Sequence, residues 1–230
     1  MLSKIKQYLS LNGKEWLRML VRKPLVGRFY KQWHDSLQSD RSPVIDRCPW
    51  ITFEAAAWLK SRLNRSMRVF EWGSGGSTLF FAKRVREVIS IEHDLEWFHQ
   101  ISAVLQDSSV RNVHYHLHEP VQPDGYELNP IYTSTDLRYL SMDFSAYARA
   151  IDRYEDTAFD LIFVDGRARV GCLHHAPPKL RPGGLLVLDN SERTEYDAGR
   201  KLLDVWPKLE FVGPGPYGVT FWSTIVWRKP

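Results

Sequence analysis

The stretch 69–78 constrains this chain more than any other: Val69 and Phe70 lead through Glu71 and Trp72 into Gly73, Ser74, Gly75, Gly76, Ser77 and Thr78. An apolar run that ends on a carboxylate and opens into a glycine-rich turn ahead of a helical pattern reads as strand, cofactor loop and helix. Glycines let the backbone turn tightly and approach a ligand, and amides at the following helix N-terminus face it. Two cofactor classes use such a loop. A dinucleotide would set its pyrophosphate over the loop, where Glu71 would repel it, whereas S-adenosylmethionine brings no phosphate and carries an ammonium and a sulfonium. Charge favours the methyl donor.

The rest of the pattern follows in order. Val88 to Ile91 is a second apolar run, ending on Glu92, 19 residues beyond Gly73. An acid there is placed to accept the ribose hydroxyls of an adenosine, which by itself does not separate NAD from S-adenosylmethionine. A further run from Phe159 is tipped with Asp165 and Gly166, and a Pro182-Gly183-Gly184 turn leads into a strand tipped with Asp189 and Asn190. Patterning predicts strands near 68–71, 88–92, 113–117, 159–164 and 185–189. Helices are expected near 52–64, with Thr52 as N-cap, and near 76–84, 94–106, 143–154, 168–179 and 192–205. Alternating strands and helices imply right-handed crossovers and a parallel sheet covered on both faces. The tail, 209–212 and 219–227, reads as two strands about a turn-rich loop, the last antiparallel.

These blocks resemble the class I S-adenosylmethionine-dependent methyltransferases, over about residues 50 to 230. The resemblance implies an α/β, doubly wound, mostly parallel seven-stranded sheet with an antiparallel C-terminal strand. It implies a cofactor held by Glu71, Gly73, Ser74, Gly75, Gly76, Ser77, Glu92, His93 and Asp165. Asp165, Asp189 and Asn190 further resemble the set that holds a divalent cation, Mg²⁺ or Mn²⁺, in metal-dependent catechol-type O-methyltransferases. Those enzymes carry a lysine three positions after the first aspartate, and this chain has Ala168 there. Candidates for the catalytic role are then Asp165, His174 and His175. The expected reaction is O-methylation of a small-molecule or glycan hydroxyl. Amino-methylating nucleic-acid enzymes of this fold show an Asn/Asp-Pro-Pro-aromatic motif where this chain reads Asp165-Gly166-Arg167-Ala168. A nucleic-acid or protein N-methyltransferase, a nicotinamide-dependent oxidoreductase and a non-catalytic cofactor-binding module stay as alternatives.

Ligands of an open α/β sheet sit beyond the carboxyl ends of its strands. Glu71, Glu92, Asp165 and Asp189 should therefore crowd one rim, where like charges raise one another's pKa and a cation relieves them. The cofactor supplies part of that relief and a metal could supply the rest, unless Asp165 and Asp189 serve as loop anchors. His114, His116 and His118 alternate on one strand, and the larger expectation for them is packing or solvent rather than zinc. Trp50, Trp72 and Trp222 could stack on an acceptor. Acceptor specificity is expected from 119–142, 34–50 and 213–218.

At 230 residues one domain, 48–230, is sufficient, preceded by a basic extension, 1–47. Lys4, Lys6, Lys14, Arg18, Arg22, Lys23, Arg28 and Lys31 face a single acid, Glu15, within the first 33 residues, although the whole chain is only +4. The catalytic body is thus not basic, which counts against nucleic acid as partner. Leu2, Ile5, Leu9, Trp16, Leu17 and Leu20 give the extension a loose apolar face. It either packs on the domain or makes peripheral contact with an anionic membrane. Two cysteines, Cys48 and Cys172, and no run of membrane-spanning length suggest a cytoplasmic protein. Nothing in the pattern indicates an oligomeric state.

Overall fold

The computed structural model describes residues 13–125 and 127–230. Seven strands form one sheet: β1 (Arg68–Trp72), β2 (Glu87–Glu92), β3 (Val113–Leu117), β4 (Phe159–Val164), β5 (Leu180–Asp189), β6 (Lys208–Gly213) and β7 (Trp222–Arg228). Their spatial order is β3-β2-β1-β4-β5-β7-β6. Pairings among β1 to β5 are parallel, and β7 runs antiparallel to both β5 and β6. The expected sheet and its antiparallel final strand are present.

The central strands are apolar throughout because both of their faces are buried. Phe70, Trp72, Ile89, Ile91, Ile162, Val164, Leu186 and Leu188 belong to one core, and Val69, Val88, Leu161, Phe163 and Val187 to the other, as the two-residue period of a strand requires. Eight helices have defined ends: α1 (Tyr30–Ser36), α2 (Pro43–Asp46), α3 (Phe53–Lys60), α4 (Gly76–Ala82), α5 (Leu95–Asp107), α6 (Ser145–Ala148), α7 (Arg169–Lys179) and α8 (Asp197–Lys201). Cys172, Leu173 and Ala176 of α7 pack into the first core, while Ala55 and Leu59 of α3 and Phe80 and Phe81 of α4 pack into the second.

Several boundaries differ from expectation. The helix expected over 143–154 is α6 followed by a 3-10 turn, Arg149–Ile151, and that expected over 192–205 is a 3-10 turn, Thr194–Tyr196, followed by the short α8. The Pro-Gly-Gly segment lies inside β5: the β4–β5 register shifts between Phe159 and Leu161, and Gly183 takes φ +75, so the glycine makes a bulge rather than a turn before the strand. Thr52 occupies the N-cap position of α3 without capping it. Its fully buried hydroxyl meets that of Thr224 at 3.3 Å instead.

Residues 13–22 are helical, followed by a 3-10 turn, Pro24–Phe29, and α1. Trp16, Val26, Phe29 and Trp33 form a cluster with Phe53, and Trp33 Nε1 donates to the Gly218 carbonyl at 2.9 Å. This part of the extension lies against the 213–222 segment. Leu2, Lys4, Ile5, Lys6 and Leu9, to which a surface role was also given, lie outside the described residues. Among the described residues no helix is long and apolar enough to cross a membrane.

Candidate active site

The β1–α4 loop is pressed against the loop after β4. Gly73 has φ +91, and a Cβ there would lie 2.8 Å from the Gly166 backbone, so a side chain would force the two loops apart. The Gly75 amide donates to Thr78 Oγ1 at 3.0 Å, and Thr78 Oγ1 donates in turn to Glu71 Oε1. Glu71 is fully buried, and burial pushes its pKa up to about 7. It therefore lies beneath the loop and braces it. The expectation that Glu71 contacts the cofactor is corrected, because it shares a strand face with Val69 and is absent from the cleft wall.

Above the loop lies a cleft of about 650 Å³ whose wall includes Gly73, Ser74, Gly75, Gly76, Ser77, Glu92, His93 and Asp165. Every cofactor candidate except Glu71 is thus brought to one place. Glu92 accepts from the Ser74 amide and hydroxyl at 3.1 and 2.7 Å, and from the His93 and Asp94 amides at 2.7 and 3.0 Å. Burial opposes its ionisation, but those donors and the adjacent His93 hold its pKa below the ordinary glutamate value. His93 packs edge-on against Tyr139 and Tyr147, with its Nδ1 2.7 Å from Glu92 Oε1. Trp97, which the sequence did not single out, also lines the cleft and donates from Nε1 to the Ser74 carbonyl at 3.0 Å. Trp50 and Trp222 are in the wall as well, whereas Trp72 is core, its indole bonded to the Tyr147 carbonyl.

At the end of the cleft over β4 and β5 stands Arg169, 5% exposed and delivered by Ala168 in the left-handed conformation. Its guanidinium donates to the carbonyls of Gly166, Asp189 and Asp165 at 3.0, 2.6 and 3.1 Å, and pairs with Asp165 Oδ1 at 3.0 Å. Asp189 Oδ1 accepts from Thr224 Oγ1 at 2.6 Å and Trp222 Nε1 at 3.0 Å. Burial, and then the neighbouring Asp165, push its pKa well above the carboxylate range. Burial raises Asp165 as well, against the opposing guanidinium. The expected metal set therefore does not fit a divalent ion. One aspartate is neutralised by Arg169 and the other is held as a buried hydrogen-bond anchor. Among the described residues no three His, Cys, Asp or Glu side chains group to hold a metal.

The two helical histidines are also corrected. Gly171, Cys172, Leu173 and Ala176 are the inward face of α7, which leaves His174 exposed. His175 lies between Tyr132 OH at 2.8 Å and Asp152 Oδ1 at 3.0 Å, and neither histidine lines the cleft. Of the three catalytic candidates only Asp165 reaches it. The alternating histidines, His114 and His116 in β3 and His118 just beyond it, do not reach the cleft either, and His114 pairs with Glu87 at 3.1 Å.

A sheet in this order, with a glycine loop after β1, an acid at the end of β2 and a cleft over the carboxyl ends, defines a class I, Rossmann-like, S-adenosylmethionine-dependent methyltransferase. The family model described as a methyltransferase domain matches residues 70–191, over half of the sequence, and the chain belongs to that family. The fold is similar to that of a candidate O-methyltransferase from Klebsiella pneumoniae, at 18% identity and a TM-score of 0.55 over 98% of this chain and 99% of that one. It is also similar to SMU.1697c, a candidate methyltransferase from Streptococcus mutans in complex with SAH, at 12% identity and 0.51 over 76% and 96%. A methyltransferase-like protein from Silicibacter pomeroyi matches at 20% identity and 0.51 over 76% and 86%. No curated protein sequence matches the chain.

Proposed function

We propose that this methyltransferase acts on a hydroxyl of a small molecule or glycan. The observation that carries this reading is Asp165, a carboxylate of raised pKa at the cleft floor beside Gly73 and Gly166, with a side chain 20% exposed. A hydroxyl must lose its proton as its oxygen takes up the methyl group, and Asp165 is the candidate base that opens on the cleft. The full-length likeness to the Klebsiella protein, described as an O-methyltransferase candidate, supports the same reading.

The cleft suits S-adenosylmethionine: Glu92 stands in its wall at the end of β2 beside the glycine loop, and the acids there, Glu92, Asp94, Asp165 and Asp189, offset Arg138, Arg167, Arg169 and Arg193, so the ammonium and sulfonium meet a charge-balanced lining. When bound, the cofactor supplies an electrophilic methyl group. Ser74 and Glu92 would hold its ribose hydroxyls and the 73–77 loop would lie along it, with Trp97 bonded to the Ser74 carbonyl. Arg169 fixes Asp165 from behind, so the carboxylate holds one orientation toward the acceptor proton, and alignment of this kind supplies much of the acceleration in a displacement.

The reading is tested with S-adenosylmethionine labelled at the methyl group and a panel of phenols, sugars and primary amines. Label should appear in O-methyl products. Asp165→Asn should lower kcat by roughly 10²–10⁴-fold while the affinity for S-adenosylhomocysteine changes little. Label found only on nitrogen would overturn the proposal.

A further inference from the structure

A second pocket, of about 260 Å³, opens beside the cofactor cleft and shares Gly166, Arg167, Arg169 and Arg193 with it. Its outer wall is the segment Thr133, Ser134, Thr135 and Asp136, part of the long connection between β3 and β4, and Tyr196 closes it. The pocket adjoins the cofactor cleft at Gly166, the residue after Asp165.

The hydrogen-bonding groups of this pocket are unevenly committed. Arg169 is used by Asp165 and three carbonyls. Arg167 gives one amine to Asp136 Oδ2 at 2.6 Å, but its Nε is buried with no partner. Thr133 Oγ1 donates to the Pro130 carbonyl and Thr135 Oγ1 to Glu195. Ser134 Oγ accepts from the Asp136 amide and so keeps its proton available. Among the described residues the Arg193 side chain makes no ion pair or hydrogen bond, although its charge, with those of Arg169 and Arg167, acts on Asp165. The two acids of the wall are already engaged: Asp136 faces both Arg138, at 3.0 Å, and Arg167, and Glu195 takes the Thr135 hydroxyl. The N–H groups of Arg193, Arg167 Nε and the Ser134 hydroxyl, which have no acceptor of their own, thus belong to residues of one pocket.

We infer that this pocket is an anion subsite for the acceptor, in which Arg193, with Arg167 Nε and Ser134 Oγ, holds a carboxylate or phosphate carried by the molecule whose hydroxyl is methylated. Guanidinium groups suit such ligands because their fork of donors matches two oxygens at once. The inference rests on the hydroxyl reading above only for the word acceptor; the anion subsite itself is tested by binding. The cofactor also carries a carboxylate, and the experiment separates the two.

Binding to the complex with S-adenosylhomocysteine is measured by calorimetry for three acids, 4-hydroxybenzoate, glucuronate and glucose 6-phosphate, each beside its neutral counterpart, 4-hydroxybenzamide or glucose. At least one acid should bind 10-fold or more tightly than its counterpart, and which one does tells carboxylate from phosphate. Arg193→Gln should remove that preference, and Arg193→Lys should restore part of it, each by a larger factor than any change in the affinity for S-adenosylhomocysteine. Equal binding of every acid and its neutral counterpart overturns the subsite. So does a variant that loses S-adenosylhomocysteine instead, since Arg193 would then serve the cofactor. Methyl transfer to nitrogen would overturn the hydroxyl reading alone and leave these ratios to decide the subsite.

Discussion

Arg169 and Asp165, four residues apart across the turn from β4 into α7, close a salt bridge of 3.0 Å at the floor of the cleft. The guanidinium also bonds three carbonyls, so it ties the β4 and β5 loops together and supplies the positive charge that clustered carboxylates demand. Two consequences are measurable. Methyl transfer should proceed at an unchanged rate in EDTA, and a loss that Mg²⁺ or Mn²⁺ restores would contradict the pairing described. Arg169→Met should destabilise the fold by about 3–5 kcal/mol, because an aspartate and several carbonyls lose their partner in a buried place; denaturant unfolding reads this directly.

Glu71 gives stability a pH dependence. Its pKa rises from 4.5 to about 7 in the folded chain, so the native state holds this proton more tightly than the unfolded state does. The contribution is fully present below pH 4.5 and is lost as pH rises through 7. It amounts to about 3 kcal/mol at most. Glu71→Gln keeps an oxygen for the Thr78 hydroxyl and cannot ionise, so its stability should fall less than that of the parent between pH 4.5 and 7.5. Parallel stability curves in urea across that range would show that Glu71 does not titrate there.

Glu92 ties down the loop that it is proposed to share with the cofactor. Because it takes both Ser74 donors and two backbone amides, its removal should loosen the loop as well as delete a ribose contact. Glu92→Ala should weaken S-adenosylhomocysteine by roughly 1.5–3 kcal/mol, the range for hydrogen bonds to a charged group. Calorimetry gives the number, and NAD binding more tightly than S-adenosylhomocysteine would contradict the cofactor assignment.

The sheet was legible because strands buried on both faces leave continuous apolar runs, and because acids and glycines punctuate their carboxyl ends. Which acid faces which way was not. In a strand with no polar face, alternation around Val69, Phe70 and Glu71 carries no mark of outside, so Glu71 reads as a ligand when it is a brace. The role of Arg169 is not legible in the sequence, because a guanidinium declares its role only through the carbonyls it reaches, and these come from residues 165, 166 and 189. The same limit applied to Trp97, whose place in the cleft depends on one bond to the Ser74 carbonyl. His174 and His175 were attractive by nearness in sequence to Asp165. The signal that would have set them aside is the inward series Gly171, Cys172, Leu173 and Ala176, which turns both away from the cleft. His174→Ala and His175→Ala should accordingly leave kcat within a few-fold of the parent in the labelled-methyl assay.

The basic extension presents a mixed outer face. Trp16 is buried against Trp33 and Phe221, and this fixes the helical residues 13–22 on the body. Leu17 and Val21, with Leu25 beyond them, are 64%, 77% and 76% exposed. Lys14 and Arg18 share the exposed side with Leu17 and Val21 at helical spacing, so cations and apolar side chains point outward together. Such a face suits the interface of an anionic bilayer, where each nearby Lys or Arg contributes about 1 kcal/mol at physiological salt. The full chain should sediment with phosphatidylserine-containing liposomes at low salt and be released at high salt. Leu17→Glu combined with Val21→Glu should abolish the association without lowering methyl transfer to a water-soluble acceptor, since both side chains lie away from the cleft. If the parent stays in the supernatant, or its binding ignores salt, the exposed leucines and arginines have no lipid role and the segment only packs on the domain.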